Sequence, residues 1–188
     1  MGKRQFQRRH LRAPLFTEFL YEDDGHVLKA RINNISEGGV LLEALPHVPE
    51  INLMPLMIEV PNYPIFANYG KDKLLTIKRE TIESEILRVR AKMVRSFEAQ
   101  SAVDLIFVPK IGCEFVTPSL EFTEAIKFYV STFSKNMIYL LNLFESSSTK
   151  HQVDVIRHVA DFLGYRKDEK ISLLRQKVLH DYQSLESI

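Results

Sequence analysis

Residues 27–43 read VLKARINNISEGGVLLE, and this stretch decides how the chain folds. Two β-rich runs, Val27–Ile35 and Val40–Glu43, meet at the polar turn Asn34–Gly39. The turn holds two of only seven glycines in the chain, where average usage predicts about 13. Because glycine is so scarce, a Gly-Gly pair indicates backbone with positive φ or a close approach to another group. We therefore expect two strands joined by a turn that presents an amide and a hydroxyl.

Alternating patterns extend the β prediction to residue 118. Residues from Leu87 to Met93 alternate apolar with basic side chains, which is the period of a half-buried strand. The pattern repeats in Val103 with Leu105 and Phe107 and, after a Pro109-Lys110 turn, in Ile111 with Cys113 and Phe115. Further short β-rich runs are Leu15–Tyr21 and Leu53–Val60. Several short runs separated by turns predict a small antiparallel barrel or sandwich. Between them, Pro61–Glu85 is ambiguous: it begins as a loop, and Lys73–Glu85 fits helix or strand.

The last part of the chain is predicted to be helical. All eight prolines precede residue 119, and proline interrupts helices. Thr117 and Pro118 fit an N-cap and a first helical position for a helix from about Ser119 to Phe144. Thr149 and Gln152 fit a capping box for a second helix that ends at Gly164. A third helix is predicted because apolar residues recur there at roughly heptad spacing, at Ile171, Leu174, Val178, Tyr182 and Leu185.

Composition and charge limit the class of protein. With 45% apolar and 26% charged residues, the chain is an ordinary globular one. A single cysteine, Cys113, excludes a disulfide framework and is expected in the core. No apolar segment follows the basic start, and polar residues interrupt Ile126–Phe144, so we expect a cytoplasmic protein. The net charge of the chain is +1, but five basic residues precede the first acid, Glu18. The chain therefore combines a basic N-terminal arm with a mildly acidic remainder.

The arm and the turn together resemble a known signature. Arg8-Arg9-His10-Leu11-Arg12 is an RxxxR motif, and Asn34-Ile35-Ser36-Glu37-Gly38-Gly39 is a [D/N]xSxxG motif that follows after a strand. The pair resembles the PilZ domain, a bacterial receptor module for cyclic di-GMP, over about residues 6–118. The resemblance extends to Gly39–Glu43 and Ile111–Phe115, which look like the third and last strands of that family.

The resemblance implies an architecture. It is an α+β fold, mainly β, in which a small antiparallel six-stranded barrel is followed by a C-terminal extension of about three helices. The implied division is a flexible basic arm at 1–14, the barrel at 15–118 and the helical extension at 119–188.

The resemblance also implies a cyclic di-GMP site, no other cofactor and no metal. Arginine's planar fork pairs with phosphate oxygens and with guanine O6 and N7. Carried over by position, the signature arginines are Arg8 and Arg12, with Arg9 as a third. Asn34 and Ser36 are expected to contact guanine edges, in a turn that Gly38 and Gly39 permit. Asn34 stands where aspartate is commoner, and a neutral amide attracts guanine N–H donors less strongly.

Several alternatives stay open from the residues alone. Arg4–Arg8 is a second RxxxR register, and the family uses the position of Gln7 to influence whether one or two ligands bind. One face of the second tail helix carries His151, Asp154 and His158. This spacing fits a metal site, but the fourth ligand is missing, and it also fits an ordinary surface or an oligomer contact. One predicted strand carries four basic residues that either flank an anionic ligand or face solvent: Arg88, Arg90, Lys92 and Arg95.

Three functions are consistent with the sequence. The leading one is a cyclic di-GMP receptor that changes conformation and signals to an effector protein. A PilZ-like adaptor that binds no nucleotide and works through its helical tail is the second, and in either case the tail is a candidate for homo-oligomer contacts. A nucleic-acid binder is the third, although the body of the chain lacks a basic face. No phosphate-binding loop, nucleophile elbow or zincin motif occurs, so we do not expect an enzyme.

Overall fold

The computed structural model describes residues 10–47, 49, 53–100, 107–146 and 149–186. The candidate residues Arg8 and Arg9, the Arg4 register, Gln7, and the predicted strand positions Val103 and Leu105 lie outside these ranges. Seven strands are present in the described part: β1 (Arg12–Pro14), β2 (Glu18–Asp23), β3 (His26–Ser36), β4 (Gly39–Glu43), β5 (Met54–Pro61), β6 (Ser84–Gln100) and β7 (Phe107–Val116).

Six of these strands close into an antiparallel barrel. The order around the ring is β3, β2, β5, β6, β7, β4, and the ring closes because β4 also pairs with β3. The short strand β1 pairs with the far end of β3, beyond the residues that pair with β2. The predicted six-stranded antiparallel barrel is confirmed.

The barrel core comes from alternation of buried and exposed side chains along the strands, which the sequence predicts for β6. In β5, Met54, Leu56, Ile58 and Val60 are buried while the residues between them face outward. In β6, Leu87, Val89 and Ala91 point inward in the same way. Cys113 in β7 also belongs to this core, as predicted. Burial raises the pKa of the Cys113 thiol to about 12, so the residue is a poor nucleophile at neutral pH.

The predicted turn at Pro109-Lys110 is wrong, because β7 runs through both residues. Pro109 pairs with Glu98 of β6, whereas the described pairing with β4 begins at Lys110. Proline is tolerated where a strand lacks a partner on one side, since no ladder hydrogen bond is lost there. The ambiguous segment from residue 61 to 85 contains the 3₁₀ turns Phe66–Asn68 and Arg79–Thr81, and the helix α1 (Lys71–Thr76) lies between them.

Three further helices follow the barrel, as predicted: α2 (Leu120–Glu145), α3 (Lys150–Phe162) and α4 (Ile171–Glu186). The expected N-cap at Thr117 is wrong, because Thr117 has a φ of 45°, outside the extended region of a cap. Ser119 caps α2 instead, and its Oγ accepts from the Phe122 N–H at 3.1 Å. None of the helices in the described part combines the length and apolarity needed to span a bilayer.

The predicted cap and end of α3 are confirmed. Thr149 Oγ1 accepts from the Gln152 N–H at 3.1 Å, although the Gln152 amide donates to the Leu143 carbonyl rather than back to Thr149. Gly164, with a φ of 89°, follows the last turn of α3. Glycine is favoured there because the left-handed backbone region penalises residues with a Cβ.

The chain forms two compact units, and each unit is built from segments that are separated in the sequence. The barrel unit is Arg12–Asn62 with Ser84–Val130, and the helical unit includes Tyr63–Glu83 and the chain from Ser131 onward. Within the barrel unit, the Tyr129 hydroxyl on α2 donates to the Pro14 carbonyl at 2.6 Å. Phe122 of α2 packs edge-on against Phe115 of β7, with ring centroids 4.8 Å apart.

Asn136 holds the helical unit together. It is fully buried in α2. Its Oδ1 accepts from the Phe66 N–H, and its Nδ2 donates to the Pro64 carbonyl, both at 2.9 Å. One side chain thus satisfies two backbone groups of the Tyr63–Glu83 segment, the buried N–H of Phe66 and the partly buried carbonyl of Pro64.

We predict that Asn136→Ala lowers the free energy of unfolding by about 2–4 kcal/mol, because both backbone groups lose their partner. Chemical denaturation measures this change. The control is Asn142→Ala, which removes an exposed amide from the same helix and should change the stability by less than about 0.5 kcal/mol. Equal effects of the two substitutions would contradict the role assigned to Asn136.

Candidate functional site

The predicted turn is a tight hairpin between β3 and β4. Ser36 pairs with Gly39, so only Glu37 and Gly38 form the loop. The Ser36 hydroxyl donates to the Gly39 carbonyl at 3.2 Å, and Ser36 is buried. The Ser36 side chain therefore holds the turn closed, while its oxygen keeps lone pairs for a further donor.

Gly39 is required for a close approach rather than for positive φ. A Cβ on Gly39 would lie 2.2 Å from the carbonyl oxygen of Cys113 in β7. Next to it, the Phe115 N–H donates to the Gly38 carbonyl at 3.1 Å. The sequence predicts glycine here for a positive φ or for a close approach, and the structure shows the close approach. The hairpin can lie on β7 only because residue 39 has no side chain.

Strand β1 brings the second signature arginine to the hairpin. Arg12 pairs with Ser36, and Pro14 pairs with Asn34. Paired residues on neighbouring antiparallel strands have Cα atoms roughly 4.5–5.5 Å apart. The two predicted motifs therefore meet through backbone pairing, although they are more than twenty residues apart in the chain.

A row of residues continues from Asn34 across the outside of the barrel. Asn34 pairs with Leu41 of β4, Leu41 with Gly112 of β7, and Gly112 with Arg95 of β6. Their neighbours Ile35, Val40 and Cys113 are buried, so the row faces outward. We call this surface the hairpin face and define it by Arg12, Asn34, Ser36, Leu41, Gly112 and Arg95.

Arg95 borders the hairpin face on the side away from Arg12. A Cβ on Gly112 would lie 3.1 Å from Arg95 Cγ and 3.2 Å from Arg95 Nε, so the arginine side chain passes over the glycine. Its guanidinium carbon lies 5.1 Å from the ring centroid of Phe97. From the sequence alone, Arg95 is one of four basic residues that flank an anion or face solvent. Gly112 has no role in a site predicted from the sequence.

A buried ion cluster lies beside this row. Glu43 is fully buried, and its carboxylate lies 3.2 Å from Lys110 Nζ and 3.7 Å from an Arg31 guanidinium nitrogen. The Asn33 amide donates to the same carboxylate at 3.4 Å. Removing one partner of a buried ion pair typically costs 3–5 kcal/mol, because the remaining charge is stranded. The cluster therefore fixes β3, β4 and β7 relative to each other next to the hairpin.

The Asn34 side chain is oriented by its neighbour. Its Nδ2 donates to Asn33 Oδ1 at 3.1 Å. With the amide nitrogen engaged in this way, Oδ1 is the group that Asn34 offers as an acceptor. Asn34 itself is half-buried, so a planar polar ligand on the hairpin face can reach it.

The other candidate site does not assemble as a metal centre. His151 Nε2 lies 3.4 Å from Asp72 Oδ1, and the His158 ring packs edge-on against Phe162 with centroids 5.2 Å apart. Across the described ranges, no three histidine, cysteine or acidic side chains come together as metal ligands. The hairpin face, where Arg12, Asn34 and Ser36 meet, is therefore the candidate functional site.

No protein-family model and no curated protein sequence matches the chain. Solved structures that match include the Bacillus subtilis inhibitor of motility (MotI/DgrA), 14% identical with a TM-score of 0.48, covering 70% of this chain and 55% of that one. The PilZ domain of Escherichia coli YcgR with c-di-GMP is 16% identical with a TM-score of 0.41, covering 67% and 90%. The K. pneumonia MrkH–c-di-GMP complex is 17% identical with a TM-score of 0.42, covering 74% and 53%. This chain spans about half the length of the MotI/DgrA and MrkH chains.

We predict that Gly39→Ala lowers the free energy of unfolding by about 1–3 kcal/mol, because the new methyl group overlaps the Cys113 carbonyl. Urea denaturation followed by circular dichroism measures this change. The matched control is Gly70→Ala, where a Cβ would meet nothing within 4 Å and should change stability by less than about 0.5 kcal/mol. If both variants were as stable as the wild type, the close approach at Gly39 would not matter for folding.

Proposed function

We propose that the chain is a PilZ-type receptor for cyclic di-GMP and that the hairpin face binds the ligand. The observation that carries the proposal is the pairing of Arg12 with Ser36, which joins the two halves of the signature. Cyclic di-GMP is a dianion with two guanine bases, so its receptor needs cations for the phosphates and a flat, polar-edged surface for a base. The hairpin face offers both.

The floor of the site suits a purine. Leu41 presents an apolar side chain between the hairpin and Arg95, whose own side chain covers Gly112. A base can therefore lie on Leu41 with the hairpin on one side and Arg95 on the other. Asn34 Oδ1, oriented by Asn33, would accept from the guanine N1–H or N2–H group. An amide oxygen accepts less strongly than a carboxylate, so we expect a weaker contact here than an aspartate would give.

Arginines would close the site from two sides. Arg12 is held next to the hairpin by strand pairing, and the proposal adds Arg8 and Arg9 from the preceding arm. A guanidinium fork pairs with two phosphate oxygens at once, which an ammonium group cannot do. On the opposite side, Arg95 is held over Gly112 with its plane near Phe97, so it can stack on a base or pair with its Hoogsteen edge.

The proposed output is conformational. Ligand binding would draw the basic arm that precedes Arg12 over the hairpin face and change the surface that the chain presents to an effector protein. The ligand can shift this equilibrium only by its preference for the ordered form. The proposal includes binding and signalling without catalysis, and it places the chain in the cytoplasm, where a second messenger of this kind acts.

Calorimetric titration with cyclic di-GMP tests the site. We predict that Arg12→Ala weakens binding by about 10-fold or more, because a charge-assisted hydrogen bond contributes roughly 1.5–3 kcal/mol. Arg12→Lys should recover only part of the loss, since lysine keeps the charge but not the fork. Unchanged affinity in Arg12→Ala would overturn the assignment of the hairpin face. Wild-type protein that binds no cyclic di-GMP would favour the adaptor function instead.

The same titration distinguishes two exposed arginines of β6. Arg95→Ala should weaken binding by at least about fivefold, given a stacking or cation–π contact of about 1 kcal/mol or more. Arg88→Ala is the matched control, because Arg88 pairs with Met57 of β5, away from the hairpin face. Equal losses in the two variants would indicate a general charge effect rather than a contact with Arg95.

A further inference from the structure

A groove of about 510 Å³ lies on a part of the barrel that the proposed ligand site does not use. Its floor is the outer surface of β2, β5 and β6, where Leu20 pairs with Met57 and Met57 with Arg88. The residues Val116–Ser119, between β7 and α2, form one wall. We call this feature the β5 groove, since β5 lies at its centre.

The β5 groove is apolar although it faces outward. Val27 is 71% exposed, Leu20 44% and Met57 38%, and Pro55 lies between them and Arg90. Exposed contiguous apolar patches commonly mark protein contacts. The groove therefore suits a partner with apolar side chains.

The charges on the rim of the groove specify that partner further. Arg88 and Arg90 both line the groove and are exposed. Neither guanidinium makes a hydrogen bond or an ion pair within the part of the chain that the structure describes. Glu22 lies on the opposite side of the groove. A complementary surface would carry apolar groups, two acids and one base.

The first turns of α2 provide such a surface. Leu120 is 74% exposed and Phe128 54% exposed, although both are large apolar residues. Glu121, Glu124 and Lys127 are exposed on the same stripe of the helix. The set therefore contains two apolar side chains, two acids and one base. We call these five residues the α2 face.

We propose that two copies of this chain associate with the α2 face of each copy in the β5 groove of the other. Ser119 lines the groove and Leu120 follows it directly, so the two surfaces are adjacent on one molecule. Adjacent complementary surfaces favour a two-fold arrangement, in which the same contact forms twice and the assembly closes. Glu121 and Glu124 then face Arg88 and Arg90 of the other copy, and Lys127 faces Glu22.

Sedimentation velocity of the 188-residue chain over a range of concentrations tests this proposal. We expect a dimer of the 21.8 kDa chain that dissociates on dilution. The double variant Arg88→Glu with Arg90→Glu should raise the dimer dissociation constant at least about 10-fold, and so should Glu121→Arg with Glu124→Arg. Combining all four substitutions restores opposite charges across the contact and should restore the dimer.

The control variant is Glu98→Arg, which reverses an exposed charge of β6 outside the groove and should leave the dimer unchanged. Phe128→Ser removes the apolar anchor and should weaken the dimer without a change in thermal unfolding of the monomer, because the side chain is exposed. A wild-type chain that stays monomeric at every concentration overturns the proposal. So does a dimer that both double variants leave intact, or one that the four-fold charge exchange fails to restore.

Discussion

The barrel and its candidate site depend on the absence of a side chain at Gly39. The backbone of β4 approaches β7 so closely there that a Cβ would overlap the Cys113 carbonyl. This contact lets the β3–β4 hairpin close the ring of six strands. Once the ring is closed, Asn34 lies half-buried on the outer side of the barrel with the buried Ser36 next to it, and β1 places Arg12 beside Ser36. The same glycine therefore serves the fold and the proposed ligand site.

The surroundings of the hairpin combine rigidity with charge. Glu43 of β4 and Lys110 of β7 form a buried pair, and Arg31 of β3 lies near the same carboxylate. A buried pair of this kind adds little to net stability, but it penalises any movement that separates the two charges. The floor is therefore fixed before a ligand arrives, and Arg12 is already paired with Ser36. In the proposal, the residues before Arg12 close over this floor on binding, so the ordering cost falls on the segment that would carry the signal.

The sequence predicts the elements better than their contacts. The β-rich run of β5, the alternation in β6, the cap at Thr149 and the glycine at 164 are local features, and their predictions are confirmed. The turn at Pro109 and the cap at Thr117 fail because strand pairing and backbone angles override local residue preference. Arg95 could not be assigned from the sequence, since its position over Gly112 depends on an irregularity of the β6–β7 register between Met93 and Arg95. If β6 alternated regularly, the Arg95 side chain would point into the barrel on the same side as Met93.

The most direct measurement of the central claim is the change in backbone amide NMR signals when cyclic di-GMP is added. The account predicts that the largest changes fall on Arg12, on the hairpin from Asn34 to Leu41, and on Gly112 with Arg95 across the barrel. Residues of the β5 groove, such as Leu20 and Met57, should change little. Changes concentrated in the groove or in the helical unit, with the hairpin unaffected, would contradict the claim that the two signature motifs form one ligand site.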